Sequence, residues 1–257
     1  MSAFVHKNMY SKRVCVFVDG ENLRHSLVNL FSSFDQRSYL PTADWSKFFD
    51  WISRQVAGEN AERVRTYWYV VQQIDYSPYN LHAASKDKIL LKSILSRNAE
   101  ARTAIEKVSG KDQDLKIEQI SKDLQECQTT MEKRFNGWIN IQDEISRKCV
   151  SIEFRRAGTI RYDLYDRSLG SEKAVDVKLA TDLIRLKDIY DIAVIVSGDG
   201  DYVPAVEAIK DAGKHAVNVA FLTENGNLLP GGAKRLNQAT DRSIEIEHAD
   251  LKKHLGL

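Results

Sequence analysis

The stretch Val14-Cys15-Val16-Phe17-Val18-Asp19-Gly20-Glu21-Asn22 decides the fold. Its first five residues are an unbroken apolar run rich in β-branched side chains, the pattern of a strand covered on both faces, as in a parallel sheet. An Asp-Gly turn follows at once, and Leu23, Leu27, Leu30 and Phe31 then recur at helical spacing. The same order returns late in the chain. Asp191-Ile192-Ala193-Val194-Ile195-Val196 reads as a second buried strand, Ser197-Gly198-Asp199-Gly200-Asp201 as its acidic turn, and Pro204–Ala212 as a helix that ends at Gly213. Between and beyond them, Trp45, Phe48, Phe49 and Ile52 predict a helix with Asp44 at its N-cap. Val64–Val71 and Val150–Phe154 read as strands, the latter followed by a charged segment; Val175–Leu186 reads as a helix and Ala216–Leu222 as a last strand. Leu236–Leu255 is expected to cover a sheet edge. The alternation predicts an α/β fold, a Rossmann-like, mainly parallel sheet flanked by helices.

Residues 84–145 break the rhythm. They contain no proline and, before Gly137, a single glycine. Ile117, Ile120, Leu124, Cys127, Met131, Phe135 and Trp138 recur at spacings of 3, 4, 3, 4, 4 and 3, which is one apolar stripe on a helix. Leu91, Leu95, Asn98, Ala101, Ile105 and Val108 form a weaker stripe, and Ser109–Asp114 supplies the break between the two. We read a helical hairpin, inserted in a single domain that spans residues 1–257. Its large residues Met131, Phe135 and Trp138 exceed what the first arm can cover, so the sequence predicts a homodimer through the hairpin.

The bulk properties exclude several classes. Among 257 residues, 37 Lys and Arg face 36 Asp and Glu, so no global charge draws the chain to nucleic acid or membrane, and any basic surface must be local. No apolar run approaches the roughly 20 residues of a membrane-spanning helix. The N-terminal segment lacks a secretory apolar core. Cys15, Cys127 and Cys149 form neither a zinc pattern nor a disulfide framework, which points to a reducing, cytoplasmic setting.

The chemistry gathers at the two strand ends. In open α/β sheets ligands bind beyond the carboxyl ends of the strands, where strand order reverses. If the two buried strands are neighbours there, Asp19, Asp199 and Asp201 converge, and several carboxylates in one crevice repel each other unless a cation lies among them. Hard oxygen donors suit Mg²⁺ or Mn²⁺. Asp176, in Lys173-Ala174-Val175-Asp176-Val177-Lys178-Leu179-Ala180-Thr181-Asp182, stands in the first turn of a helix. A haloacid-dehalogenase-type phosphatase would need Asp-x-Asp, and the second position here is Glu21.

Taken together, Asp19–Asn22, Lys173–Asp182 and Ser197–Val217 resemble the NYN domain family, the LabA-like branch of the PIN-like nucleases. The resemblance implies a PIN-like fold, a carboxylate site for Mg²⁺ or Mn²⁺, and ribonuclease activity on an RNA substrate. By motif, Asp19, Asp176 and Asp199 would be metal ligands, Asp201 a further acid, and Asn22 and Ser197 polar groups that orient ligands or water. Asp182 matches an acidic family position without an evident role. Ala174 replaces the usual glycine, and the hairpin stands where shorter members have a compact connection. Arg155, Arg156, Lys173, Lys178 and Lys214 are candidate phosphate contacts, and Tyr162, Tyr165 and Tyr202 are candidates to stack on bases. An NYN-type RNA-binding or scaffold protein with little turnover is the alternative.

Overall fold

A computed structural model describes residues 11–31, 39–78, 81–84, 86–229 and 234–257. In chain order the elements are β1 (Arg13–Asp19), α1 (Gly20–Leu30), α2 (Trp45–Ala57), β2 (Glu62–Ser77), α3 (Leu81–Ala84), α4 (Lys88–Leu95), α5 (Ala99–Glu106) and α6 (Lys111–Lys148). They continue as β3 (Ile152–Asp163), β4 (Ser168–Lys173), α7 (Val175–Arg185), β5 (Ile192–Val196), α8 (Val203–Asp211), β6 (His215–Phe221), α9 (Lys234–Ala239), β7 (Arg242–Ile246) and α10 (His248–Leu255). The strands form one sheet in the order β4-β3-β2-β1-β5-β6-β7. The α/β, mainly parallel architecture is the one expected: β1 pairs in parallel with β2 and β5, β5 with β6, and β6 with β7.

The chain divides into two compact units. The first holds residues up to 70, 141–157 and those from 174 onward; the second holds 71–140 and 158–173. In the first unit, β1 and β5 are central, and every residue of Val14–Val18 and Ile192–Val196 is buried. Continuous apolar runs are what a strand covered by helices on both faces requires. Asp44 caps α2 by accepting from the Lys47 backbone N–H at 3.1 Å. That helix buries Trp45, Phe48, Phe49 and Ile52, and the Trp45 ring meets Trp68 of β2 edge-on at 4.9 Å. The C-terminal stretch does more than cover an edge: β7 extends the sheet as a parallel strand.

In the second unit three expectations are corrected. The charged segment after Phe154 is strand, because β3 runs on to Asp163 and turns back antiparallel into β4, with Thr159 opposite Lys173. Ile160 and Tyr162 are buried while Arg161 between them is exposed, the alternation of a sheet with one wet face. The first hairpin arm is two helices. Asn98 breaks it by capping α5, accepting from the Ala101 N–H at 3.0 Å. On α6, Ile117, Leu124, Met131 and Trp138 are buried within the single chain and Phe135 is half-buried, so most of the stripe is already covered. A homodimer through the hairpin is not supported.

Candidate metal centre

Gly20 fixes how the site begins. A Cβ there would lie 2.4 Å from the Tyr69 carbonyl oxygen and 2.9 Å from Val70 Cγ1, so only glycine lets α1 start directly after β1. Asp19 is thereby both the last residue of β1 and the N-cap of α1, accepting from the Asn22 N–H at 3.1 Å. Parallel pairing of β1 with β5 sets Val18 beside Val196, which brings the two acidic turns to the same sheet edge.

The turns are tied together. Ser197 Oγ donates to Asp19 Oδ2 at 3.0 Å and accepts from the Asp199 N–H at 3.0 Å. Tyr202 OH donates to the same Oδ2 at 3.0 Å. Asn22 Oδ1 accepts from the Gly198 N–H at 2.8 Å, and Asp199 Oδ1 accepts from the Asp201 N–H at 2.9 Å. Burial pushes the Asp19 carboxyl above its ordinary value; the hydrogen bonds from Asn22, Ser197 and Tyr202 oppose this, and the nearby Asp199 charge adds to it. Among the described residues no lysine, arginine or histidine forms an ion pair with Asp19, Asp176, Asp199 or Asp201. A buried carboxylate facing a second carboxylate without a cation is costly.

The donors fit Mg²⁺ or Mn²⁺ by type, all being hard oxygens. Among the described residues no group of three His, Cys, Asp or Glu side chains is placed to hold a metal ion. Asp201 is exposed and Asp176 half-buried, in the first turn of α7. Asp19 and Asp199 are the pair the structure couples. Mg²⁺ is commonly held by only one or two carboxylates plus waters and substrate phosphate, which such a pair satisfies.

The NYN domain family matches residues 80–247, more than half of the chain. The chain belongs to the NYN domain family. NYN domains are nuclease-like, which gives this one its broad functional class. The matched stretch contains Asp176, Ser197, Asp199 and Asp201 and begins after Asp19 and Asn22. The place of those two in the site rests on the register of β1 against β5. No curated protein matches the chain. A crystal structure of a protein of unknown function from Vibrio parahaemolyticus aligns over 93% of this chain and 96% of that one, at 15% identity and a TM-score of 0.46. No helix among the described residues is long and apolar enough to cross a membrane.

In this NYN domain Asp182 is a structural hub. Fully buried, it accepts from Tyr69 OH at 3.1 Å, from Lys178 Nζ at 3.1 Å, from Arg185 at 3.0 Å and from Arg155. Burial alone would raise its pKa, but the bonds from Arg155 and Lys178 outweigh that and hold it below the ordinary value. Several expected RNA contacts are thus engaged elsewhere. Arg155 is shared between Asp182 and Glu153 and lies 4.0 Å over the Tyr67 ring. Lys178 serves Asp182, and Arg156 bonds Gln142 and Asp143. Lys214 is misplaced by the sequence reading: it precedes β6, beside Asp191 at the amino ends of the strands, the edge opposite Asp19. Lys173 belongs to the second unit. Tyr202 and Tyr162 are buried and hydrogen-bonded, to Asp19 and Cys127, so neither ring is open to a base.

Two features escaped the sequence. Tyr202 is a direct partner of Asp19; its only sequence signal is an aromatic residue next to the second acidic turn. Arg235 of α9 packs on Gly200, its Nε 3.7 Å from where a Cβ would stand, which sets a cation beside the Asp199–Asp201 turn. Nothing in the local sequence links the two.

Proposed function

We propose that this NYN domain is a Mg²⁺- or Mn²⁺-dependent ribonuclease. The observation that carries the reading is the buried Asp19 carboxylate, coupled to Asp199 across paired parallel strands and served by hydrogen-bond donors but by no ion pair among the described residues. Asp19 and Asp199 would hold the ion, with Asp176 and Asp201 as additional acids once RNA is bound. The ion would supply an activated water and neutralise charge on the phosphoryl oxygens.

The protein's own groups then have distinct tasks. Ser197, Tyr202 and the Asn22 N–H hold Asp19 in one orientation. The Asn22 side chain locks the second turn to the first. Arg235 would meet the phosphate, adding positive charge where negative charge develops. Cleavage of a generic single-stranded RNA under Mn²⁺ or Mg²⁺ titration tests this. Wild-type protein should cleave, Asp199→Asn should lose activity by orders of magnitude with its fold intact, and EDTA should abolish it. RNA binding without cleavage under any metal would move the protein to a binding or scaffold role.

A further inference from the structure

The second unit contains a cavity of about 590 Å³, within the usual range of small-ligand sites. Its walls follow from strand alternation. Thr159, Arg161 and Asp163 are two apart on β3 and share its outer face, and Ser171 and Lys173 do so on β4. The end of β2 adds Asp75, Tyr76 and Ser77, α4 adds the buried Ile94, and the turn after it adds Arg97.

Three cations line this cavity, Arg97, Arg161 and Lys173, and none forms an ion pair with a described residue although two acids stand in the same walls. Arg161 is steadied by a hydrogen bond to Ser77 Oγ at 2.8 Å, which leaves most of its donors available. Asp163 is turned to backbone, its Oδ1 accepting from the Tyr165 and Asp166 N–H groups at 2.9 and 3.2 Å, and the three cations outnumber the two carboxylates of the lining. The Asp75 side chain has no hydrogen-bond partner among the described residues. The half-buried rings of Tyr76 and Tyr165 complete the lining. Unpaired guanidinium groups suit a phosphate, flat aromatic rings suit a base, and a free carboxylate accepts from ribose hydroxyls or a base amino group.

We propose that this cavity binds a ribonucleotide unit, its phosphate on Arg97, Arg161 and Lys173 and its base against Tyr76 or Tyr165. The unit is either a free nucleotide or one residue of an RNA strand. The cavity shares no residue with the Asp19–Asp199 pair, and the proposal does not depend on that pair being catalytic.

Calorimetry on the full chain in EDTA, which stops metal-dependent cleavage, tests the proposal. AMP, adenosine, inorganic phosphate and an eight-residue single-stranded RNA are each titrated into wild type and into Arg97→Ala/Arg161→Ala, with Lys173→Ala as an independent single change on the exposed wall. AMP or the RNA should bind wild type, and the double variant should weaken that binding at least about tenfold, or 1.4 kcal/mol. Adenosine and phosphate alone should each bind at least about tenfold more weakly than whichever of AMP and the RNA binds. Binding by AMP that RNA does not displace identifies the free nucleotide; binding by RNA alone identifies a strand. Inorganic phosphate binding as tightly as the better of AMP and the RNA would overturn the proposal, and so would binding of neither, or RNA and nucleotide binding unchanged in both variants. Loss of binding in the variants of a protein that never cleaves RNA would uphold this site while the ribonuclease reading fails. Unchanged binding beside Asp199-dependent cleavage would give the reverse.

Discussion

Replacing Asp182 by alanine removes the acceptor on which Tyr69, Arg155, Lys178 and Arg185 converge. The four losses are unequal. The Lys178 and Arg185 side chains are 39% and 61% exposed, so they turn to water at a cost of about 0–1 kcal/mol each. Tyr69 is fully buried and would leave a hydroxyl without an acceptor, about 1–3 kcal/mol. Removing one partner of a buried ion pair costs about 3–5 kcal/mol, but Arg155 is 15% exposed and keeps Glu153 at 2.9 Å and the Tyr67 ring. These terms overlap, and we expect a net loss of about 3–4 kcal/mol. Urea unfolding followed by tryptophan fluorescence reports it, since Trp45, Trp51 and Trp68 all lie in the first unit. In a cycle with Arg155→Ala, the double variant should be about 1–3 kcal/mol less destabilised than the sum of the singles. The sign of the pH dependence is also set. Because the folded pKa of Asp182 is lowered, its contribution is present above the unfolded value near 3.8 and lost as pH falls through the folded value. A loss below about 1 kcal/mol, or strict additivity with Arg155→Ala, would show that the hub carries no stability.

Asp19 runs the opposite way. Its folded pKa is raised, so native protein loses stability as pH climbs from the unfolded value near 3.8 through the folded value. Asp19→Asn should flatten that part of the stability–pH curve and melt higher than wild type at neutral pH; an unchanged curve would refute the buried-anion reading. Gly20→Ala should cost about 1–3 kcal/mol in denaturant, because its Cβ meets backbone at 2.4 Å. Ala174, at φ 70° ahead of α7, holds the left-handed conformation that favours glycine, so Ala174→Gly should raise stability by about 1 kcal/mol. Met131→Ala should cost about 2–5 kcal/mol, since the side chain is core of the single chain.

What the sequence disclosed follows the physics of burial. β1 and β5 were readable because a strand covered on both faces must be apolar throughout, and the turns that follow them carry the acids. β3 beyond Phe154 and β4 were not, because one face of each is polar and Arg155, Arg156, Arg161 and Lys173 mask the alternation. The helical period runs unbroken through Asn98; only the capping bond shows that α4 and α5 are separate. Around Asp182, Lys178 and Arg185 stand at helical spacing and are local, whereas Tyr69 and Arg155 arrive from β2 and β3 and require the sheet order. Arg235 reaches the second acidic turn by tertiary packing alone, and Tyr202, adjacent to that turn in sequence, meets Asp19 only through the pairing of β1 with β5. The Ala174 substitution was visible, but its left-handed backbone was not.

The central claim is that Asp19 and Asp199 share a divalent cation, and a Mn²⁺ titration of the full chain read by electron paramagnetic resonance tests it most directly. Wild type should take up Mn²⁺ at a saturable site, with Asp19→Asn and Asp199→Asn each weakening it at least about tenfold, or 1.4 kcal/mol, while both remain folded. Equal Mn²⁺ affinity in wild type and both variants would contradict it.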